Sequence, residues 1–210
     1  MWIGLPGYFC LAAGQWLWWP GWAYSFIILL PMTIFGLWAR SHSPDLLARR
    51  AEGHEPLREQ RRIMVFVSTA SLALYFAPAL EQHHVLPSMP LPAALVVLGL
   101  AGVLTGYLGV LGVMVANRWA GRTIRTWEDQ KIVTTGPYAL VRHPMYAAFV
   151  VVLLSTPPAL ESLWGLIPAG LLIPLLMMRI MSEERELARS FPEYAAYQNA
   201  VPFRLFPGLW

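Results

Sequence analysis

The chain has 210 residues, 57% hydrophobic and 13% charged, with 10 tryptophans, which excludes an ordinary soluble domain and places it among membrane proteins. The formal charge of +3 and pI near 9.2 fit membrane topology better than a nucleic-acid partner. The single cysteine, Cys10, excludes an intrachain disulfide framework and a cysteine-based metal site.

Six apolar segments follow one another, at 2–19, 22–39, 63–80, 91–116, 146–160 and 163–181, each near the ~20 residues that a helix needs to cross hydrocarbon. No Lys or Arg precedes the first, so no cleaved leader is expected. The first ends in WLWWPGW, where Pro20-Gly21 predicts a turn and the tryptophans suit an interfacial belt, so segments one and two read as a hairpin. Segment 91–116 carries Gly99, Gly102, Gly106, Gly109 and Gly112, and the Gly102/Gly106 and Thr105/Gly109 pairs have the small-xxx-small spacing of close helix packing. The fifth segment is short and runs into Thr156-Pro157-Pro158, so it and the sixth predict a hairpin that crosses only in part. The expectation is an all-α polytopic membrane protein with five or six transmembrane helices, forming one integral membrane domain over 1–210. Residues 1–116 supply membrane helices and 117–210 a catalytic half.

Lys and Arg gather in loop 40–62, in 117–145 and from Arg179 onward, whereas the turns near 20, 81–90 and 155–162 have none. Basic residues accumulate on the cytoplasmic side, so six passes with both termini inside place all of them on one face. An integral membrane protein of a prokaryotic inner membrane is expected, its polar site facing the cytoplasm.

Three polar clusters fall on that side. In GPYALVRHPMY, Pro144 suits the first turn of a helix, and Tyr138, His143 and Tyr146 converge near its N-terminus, where free N–H groups and the helix dipole favour anionic groups. The alternative is a plain helix start with interfacial tyrosines and Arg142 fixed at headgroup level. In LLMMRIMSEERELARSF, Arg179 lies inside the apolar run and shares a helix face with Glu183, one turn later. An ionisable group at that depth points to a functional site, although a snorkelling arginine paired with Glu183 is also open. In FPEYAAYQNAVPFRLFPGLW, Phe191, Tyr194 and Tyr197 predict one side of a short helix, read more readily as interfacial than as the cover of a site. The five histidines form no metal-ligand set by spacing, so no metal is expected.

Read in order, G-P-Y-x-x-x-R-H-P-x-Y, then R-x-x-x-E-E-x-x-L, then F-x-x-Y-x-x-Y and V-P resemble the isoprenylcysteine carboxyl methyltransferase family of integral membrane methyltransferases. The residues that carry the resemblance are Gly136-Pro137-Tyr138, Arg142-His143-Pro144-Met145-Tyr146, Arg179, Glu183-Glu184, Leu187, Phe191-Tyr194-Tyr197 and Val201-Pro202, over about the last 95 residues. The resemblance implies S-adenosylmethionine as cofactor, held in a cytoplasm-facing pocket. By matching position, Gln130, Lys131, Ile132, Val133, Tyr138, His143, Pro144, Met145 and Tyr146 would line it. Glu183 would bind the ammonium or ribose, with Glu184 close by, and Arg179 would orient the carboxylate of a lipophilic acceptor, giving Arg179 and Glu183 as the catalytic pair. Gln130 stands where family members often carry His. Phospholipid N-methyltransferases look like relatives with the same C-terminal pattern, so an amine acceptor is the alternative. An NADPH-dependent lipid reductase and a non-enzymatic membrane module are further ones. Expected partners are the lipophilic substrate and membrane lipids, and no nucleic acid.

Overall fold

The computed structural model describes residues 4–51, 58–82, 85–87, 90–121 and 130–210. Helix α1 (Gly4–Ala13) stops where Gly14 takes the left-handed conformation at φ 66°, a position that favours glycine after a helix. Helix α2 (Trp19–His42) begins with Pro20 in its first turn and ends with Arg40 and His42 in the last, where positive charge complements the helix dipole. The short α3 (Pro44–Ala51) buries Leu46 and carries Arg49 and Arg50 at its end. Then come α4 (Arg58–Gln82), α5 (Ala93–Ala116), a 3-10 turn (Gly136–Ala139), α6 (Pro144–Ala159), α7 (Leu166–Ser190) and α8 (Tyr194–Ala200). No strand occurs among the described residues.

Among the described residues four helices are long and apolar enough to cross a membrane: α2, α4 from Gln60, α5 and α7. The first expected segment falls short, and the fifth is short as expected. With 10 and 16 residues, α1 and α6 extend about 15 and 24 Å at 1.5 Å per residue, against a hydrocarbon thickness of ~30 Å. Gly14 cuts the first, and the sharp turn after Pro157-Pro158 closes the other into the expected hairpin with α7. The WLWW tryptophans divide. Trp16 and Trp19 are exposed, as a membrane belt requires, whereas Trp18 is buried in the core and its Nε1 donates to Glu161 Oε2 at 2.9 Å.

Helices α5 and α6 run antiparallel in close contact. A Cβ at Gly99 would lie 2.5 Å from the Ala159 backbone nitrogen, and one at Gly106 would lie 2.8 Å from the Ala148 carbonyl oxygen, so the expected packing role of the glycine stripe holds. Phe9, Trp18, Tyr24, Val96 and Val103 form one core cluster with Leu160, and Leu74, Val150, Leu153, Leu172 and Leu176 form a second that joins α4, α6 and α7. Gly112, one turn past the stripe, meets nothing within 4 Å. The pairing brings the N-terminus of α6 beside the C-terminus of α5, and the polar residues that follow α5 gather there.

Candidate functional site

The 3-10 turn begins at Gly136, whose φ of 62° few other residues adopt comfortably. Beyond it the backbone of Arg142 and His143 pairs with the tail: the Arg142 N–H donates to Phe203 O and the His143 N–H to Arg204 O, both at 2.9 Å. The Arg142 side chain turns inward. Its Nε donates to Glu184 Oε1 at 2.7 Å, and its Nη1 donates to Val201 O at 2.7 Å and Pro202 O at 2.8 Å. His143 Nε2 lies 3.2 Å from Glu184 Oε1, and Arg204 Nε donates to Glu184 Oε2 at 3.0 Å. Arg142 is 6% exposed, so the expected headgroup anchor is instead a buried cross-link between the start of α6, α7 and the tail. Buried charges of opposite sign need this kind of saturation to offset their lost hydration.

One turn along α7 the pattern changes. The Tyr146 hydroxyl donates to Glu183 Oε2 at 2.8 Å and accepts from Arg179 Nε at 3.0 Å. A guanidinium only donates and an ionised carboxylate only accepts, so the single phenolic proton has one direction to point. Arg179, 7% exposed, also donates from Nη1 to Gln60 Oε1 on α4 at 3.0 Å.

Aromatic side chains complete the enclosure. Asn117 Nδ2 donates to the Tyr138 hydroxyl at 2.8 Å, and Tyr197 OH donates to the Tyr138 carbonyl at 2.7 Å. Burial pushes Tyr138 up to about 12 and Tyr197 likewise to about 12, so both stay neutral phenols at physiological pH. Tyr194 and Tyr197 are buried against Val201, with Ile132, Leu187 and Phe191 around them. The interfacial reading of that tail is therefore overturned, because α8 folds its tyrosines onto the bundle instead of the bilayer. Trp119 is buried under the Arg49 guanidinium, 4.2 Å from its ring centroid, while Arg50 Nη1 donates to Ala120 O at 2.9 Å. Helix α3 thus props the segment that follows α5.

These groups surround one cleft with about 950 Å³ of unfilled space, part of it open to solvent. Of the residues expected from the sequence, Gln130, Lys131, Ile132, Val133, Tyr138, His143, Met145, Tyr146, Arg179 and Glu183 are on its wall. Pro144 and Glu184 sit behind the wall, Glu184 as the buried acceptor for Arg142, His143 and Arg204. Sequence reasoning missed Asn117, Trp119, Ala120, Gly121, Arg142, Glu186, Leu187, Tyr194 and Tyr197 as wall residues, and Gln60 behind Arg179. Asn117, a polar residue at the end of a glycine-rich apolar helix, was the one readable signal. Among the described residues no group of three or more His, Cys, Asp or Glu could hold a metal ion; His83 and His84 lie outside them.

The model of the Isoprenylcysteine carboxyl methyltransferase (ICMT) family matches residues 97–189. Over that span the chain is similar to the ICMT family. The ICMT segment takes in most of α5, the 3-10 turn, α6 and all but the end of α7, and therefore Tyr138, His143, Tyr146, Arg179 and Glu183. Helix α8, the tail and Gln60 lie outside it. The chain is 36% identical over 105 residues to the cobalt-zinc-cadmium resistance protein CzcN of Cupriavidus metallidurans, a match covering 50% of this chain and 48% of the relative. It is 33% identical over 111 residues to the nickel-cobalt-cadmium resistance protein NccN of Alcaligenes xylosoxydans xylosoxydans, covering 52% of each. The chain thus spans about half the length of the curated relatives it matches.

Proposed function

We propose that the protein is a membrane methyltransferase that moves a methyl group from S-adenosylmethionine to a lipophilic acceptor, a carboxylate on an apolar chain. The observation that carries this reading is the Tyr146 hydroxyl held between Arg179 and Glu183 on the wall of one cleft, at the boundary between the polar end of the bundle and its apolar helices. The likeness of residues 97–189 to the ICMT family supports the reaction class. Arg49 and Arg50 pack on Trp119 and Ala120 of the cleft wall, and the gathering of basic residues in 40–62 supports a cytoplasmic mouth.

The wall suits the cofactor. Its cationic parts match the Glu183 carboxylate and the faces of Trp119, Tyr138, Tyr194 and Tyr197, and a flat base matches the same rings. When bound, S-adenosylmethionine supplies an electrophilic methyl carbon, which the acceptor takes as the carbon–sulfur bond breaks and the sulfonium becomes a neutral thioether. Glu183 binds the donor's positive charge, and the Tyr146 hydroxyl keeps that carboxylate aimed into the cleft. His143 and the first turn of α6 close the floor. Arg179 holds the acceptor: a guanidinium stays charged at membrane depth and matches a carboxylate with two parallel donors. A carboxylate with a pKa near 4 is already ionised at neutral pH, so the site needs no general base, and its contribution is to align acceptor and methyl group. The names of the two relatives speak of metal resistance, a cellular outcome that does not compete with methylation of a membrane acceptor as the chemical act.

Transfer of labelled methyl from S-adenosylmethionine to a prenylcysteine, a fatty acid and an aminophospholipid tests the reading. Label on either carboxylate supports it. Label on the aminophospholipid alone replaces the carboxylate with an amine acceptor. Binding of NADPH in place of S-adenosylmethionine in a competition titration ends it.

A further inference from the structure

The Arg179 guanidinium is gripped from a part of the chain outside the ICMT segment. Gln60, in the first turn of α4, accepts from Arg179 Nη1 through Oε1 at 3.0 Å. The Gln60 side chain is completely buried, and Nε2 of the same amide has no partner among the described residues. A guanidinium offers only donors, so the amide must present its oxygen, and reversing it would set two donors face to face. Arg179 therefore dictates how the amide lies. In return the amide holds one edge of the guanidinium plane while the Tyr146 hydroxyl holds Nε at 3.0 Å. Two anchors on two different nitrogens fix a planar group in rotation as well as in place. A side chain kept only to fill the space between α4 and α7 would do so without a stranded N–H, as leucine does.

We propose that Gln60 is a positioning residue that sets the plane of the Arg179 guanidinium for the anionic head of the acceptor, making α4 a contributor to acceptor specificity. The proposal rests on the carboxylate reading of the cleft. Paired recognition of a carboxylate requires the two planes to align. A guanidinium free to turn about its last bonds still attracts an anion but loses that alignment. Loss of Gln60 is therefore read as a reduced preference for a carboxylate over a neutral ester, with the cofactor side unaffected.

The test titrates detergent-purified wild type, Gln60→Leu and Gln60→Glu with a prenylthio carboxylate and with its methyl ester, and separately with S-adenosylhomocysteine. Wild type is expected to prefer the carboxylate roughly tenfold or more, as suits hydrogen bonds to a charged group. Gln60→Leu is expected to lower that preference severalfold, leaving the part that charge attraction alone supplies, while binding S-adenosylhomocysteine as wild type does. Gln60→Glu is nearly isosteric, so it keeps the comparison valid if the leucine variant folds poorly; its own carboxylate competes for Arg179 and lowers the affinity of the carboxylate probe alone. A wild type without preference, or variants that retain it in full, overturns the proposal. Failure of wild type to bind S-adenosylhomocysteine strikes the cofactor reading instead, and the probe comparison still decides the role of Gln60.

Discussion

Arg142 and Glu184 form a buried ion pair at 2.7 Å, with side chains 5% and 7% exposed. It joins the start of α6 to α7 where the tail also arrives. Breaking such a pair leaves an uncompensated charge out of water, so Arg142→Ala is expected to destabilise the protein by about 3 kcal/mol or more. Arg204→Ala, whose side chain is 30% exposed, is expected to cost much less. Thermal unfolding of both variants in one detergent checks the order; equal losses would remove Arg142 from its central place.

Tyr146→Phe deletes one oxygen and leaves the ring. Arg179 and Glu183 both lose a partner, and a hydrogen bond to a charged group is worth about 1.5–3 kcal/mol, so methyl transfer is expected to fall roughly ten- to a hundredfold. Unfolding is expected to shift as well, by about 1–3 kcal/mol, so kinetics measured well below the melting temperature isolates the effect on transfer.

Arg179→Ala and Glu183→Gln are expected to fail differently. The first should leave S-adenosylmethionine binding largely intact and lower transfer on the order of a hundredfold by misplacing the acceptor, whereas the second should weaken cofactor binding itself. Calorimetric titration beside single-turnover transfer resolves them. An equal loss of binding in both would refute the division of labour.

Gly106→Ala and Gly112→Ala test the α5–α6 contact. At Gly106 the new methyl meets the Ala148 carbonyl oxygen at 2.8 Å and is expected to cost about 1–3 kcal/mol. At Gly112 it meets nothing within 4 Å and should be neutral or stabilising by up to about 1 kcal/mol through helix propensity. Melting temperatures that move together would place the helix contact elsewhere.

Tyr138 and Tyr197 are pushed up to about 12 by burial, whereas unfolded tyrosine ionises near 10. The folded state holds these protons longer, so their contribution to stability is complete below pH 10 and is lost as the pH climbs toward 12. Phenolate absorbance at alkaline pH, compared with Tyr138→Phe and Tyr197→Phe, should show both titrating only near the end of that window.

Much of this site was legible in the residues because its chemistry is local. Tyr138, His143 and Tyr146 are close in sequence around one helix start, and Arg179 and Glu183 share a face at four-residue spacing, so local geometry brings each set together, whereas Gln130 to Val133 came from the family resemblance alone. What could not be read depends on pairing between distant parts of the chain. Arg142 looked like a headgroup anchor because a basic residue before an apolar helix usually is one, and only the fold supplies Glu184 and the Val201 and Pro202 carbonyls as its partners. Tyr194 and Tyr197 have the spacing of a bilayer-lying helix, and the same spacing serves for docking on Ile132 and Leu187. Hydropathy counted segments by composition; it did not show that Gly14 would end the first after Ala13, whereas the fifth, already short at 146–160, comes to 16 residues.

The backbone N–H groups of Arg142 and His143 donate to the carbonyls of Phe203 and Arg204. Both carbonyls come from the far end of the described chain, so the wall at the start of α6 closes only when the tail has folded back onto it. Cutting the chain before Phe203 would therefore strip two N–H groups of their acceptors and leave the mouth of the hairpin unsealed.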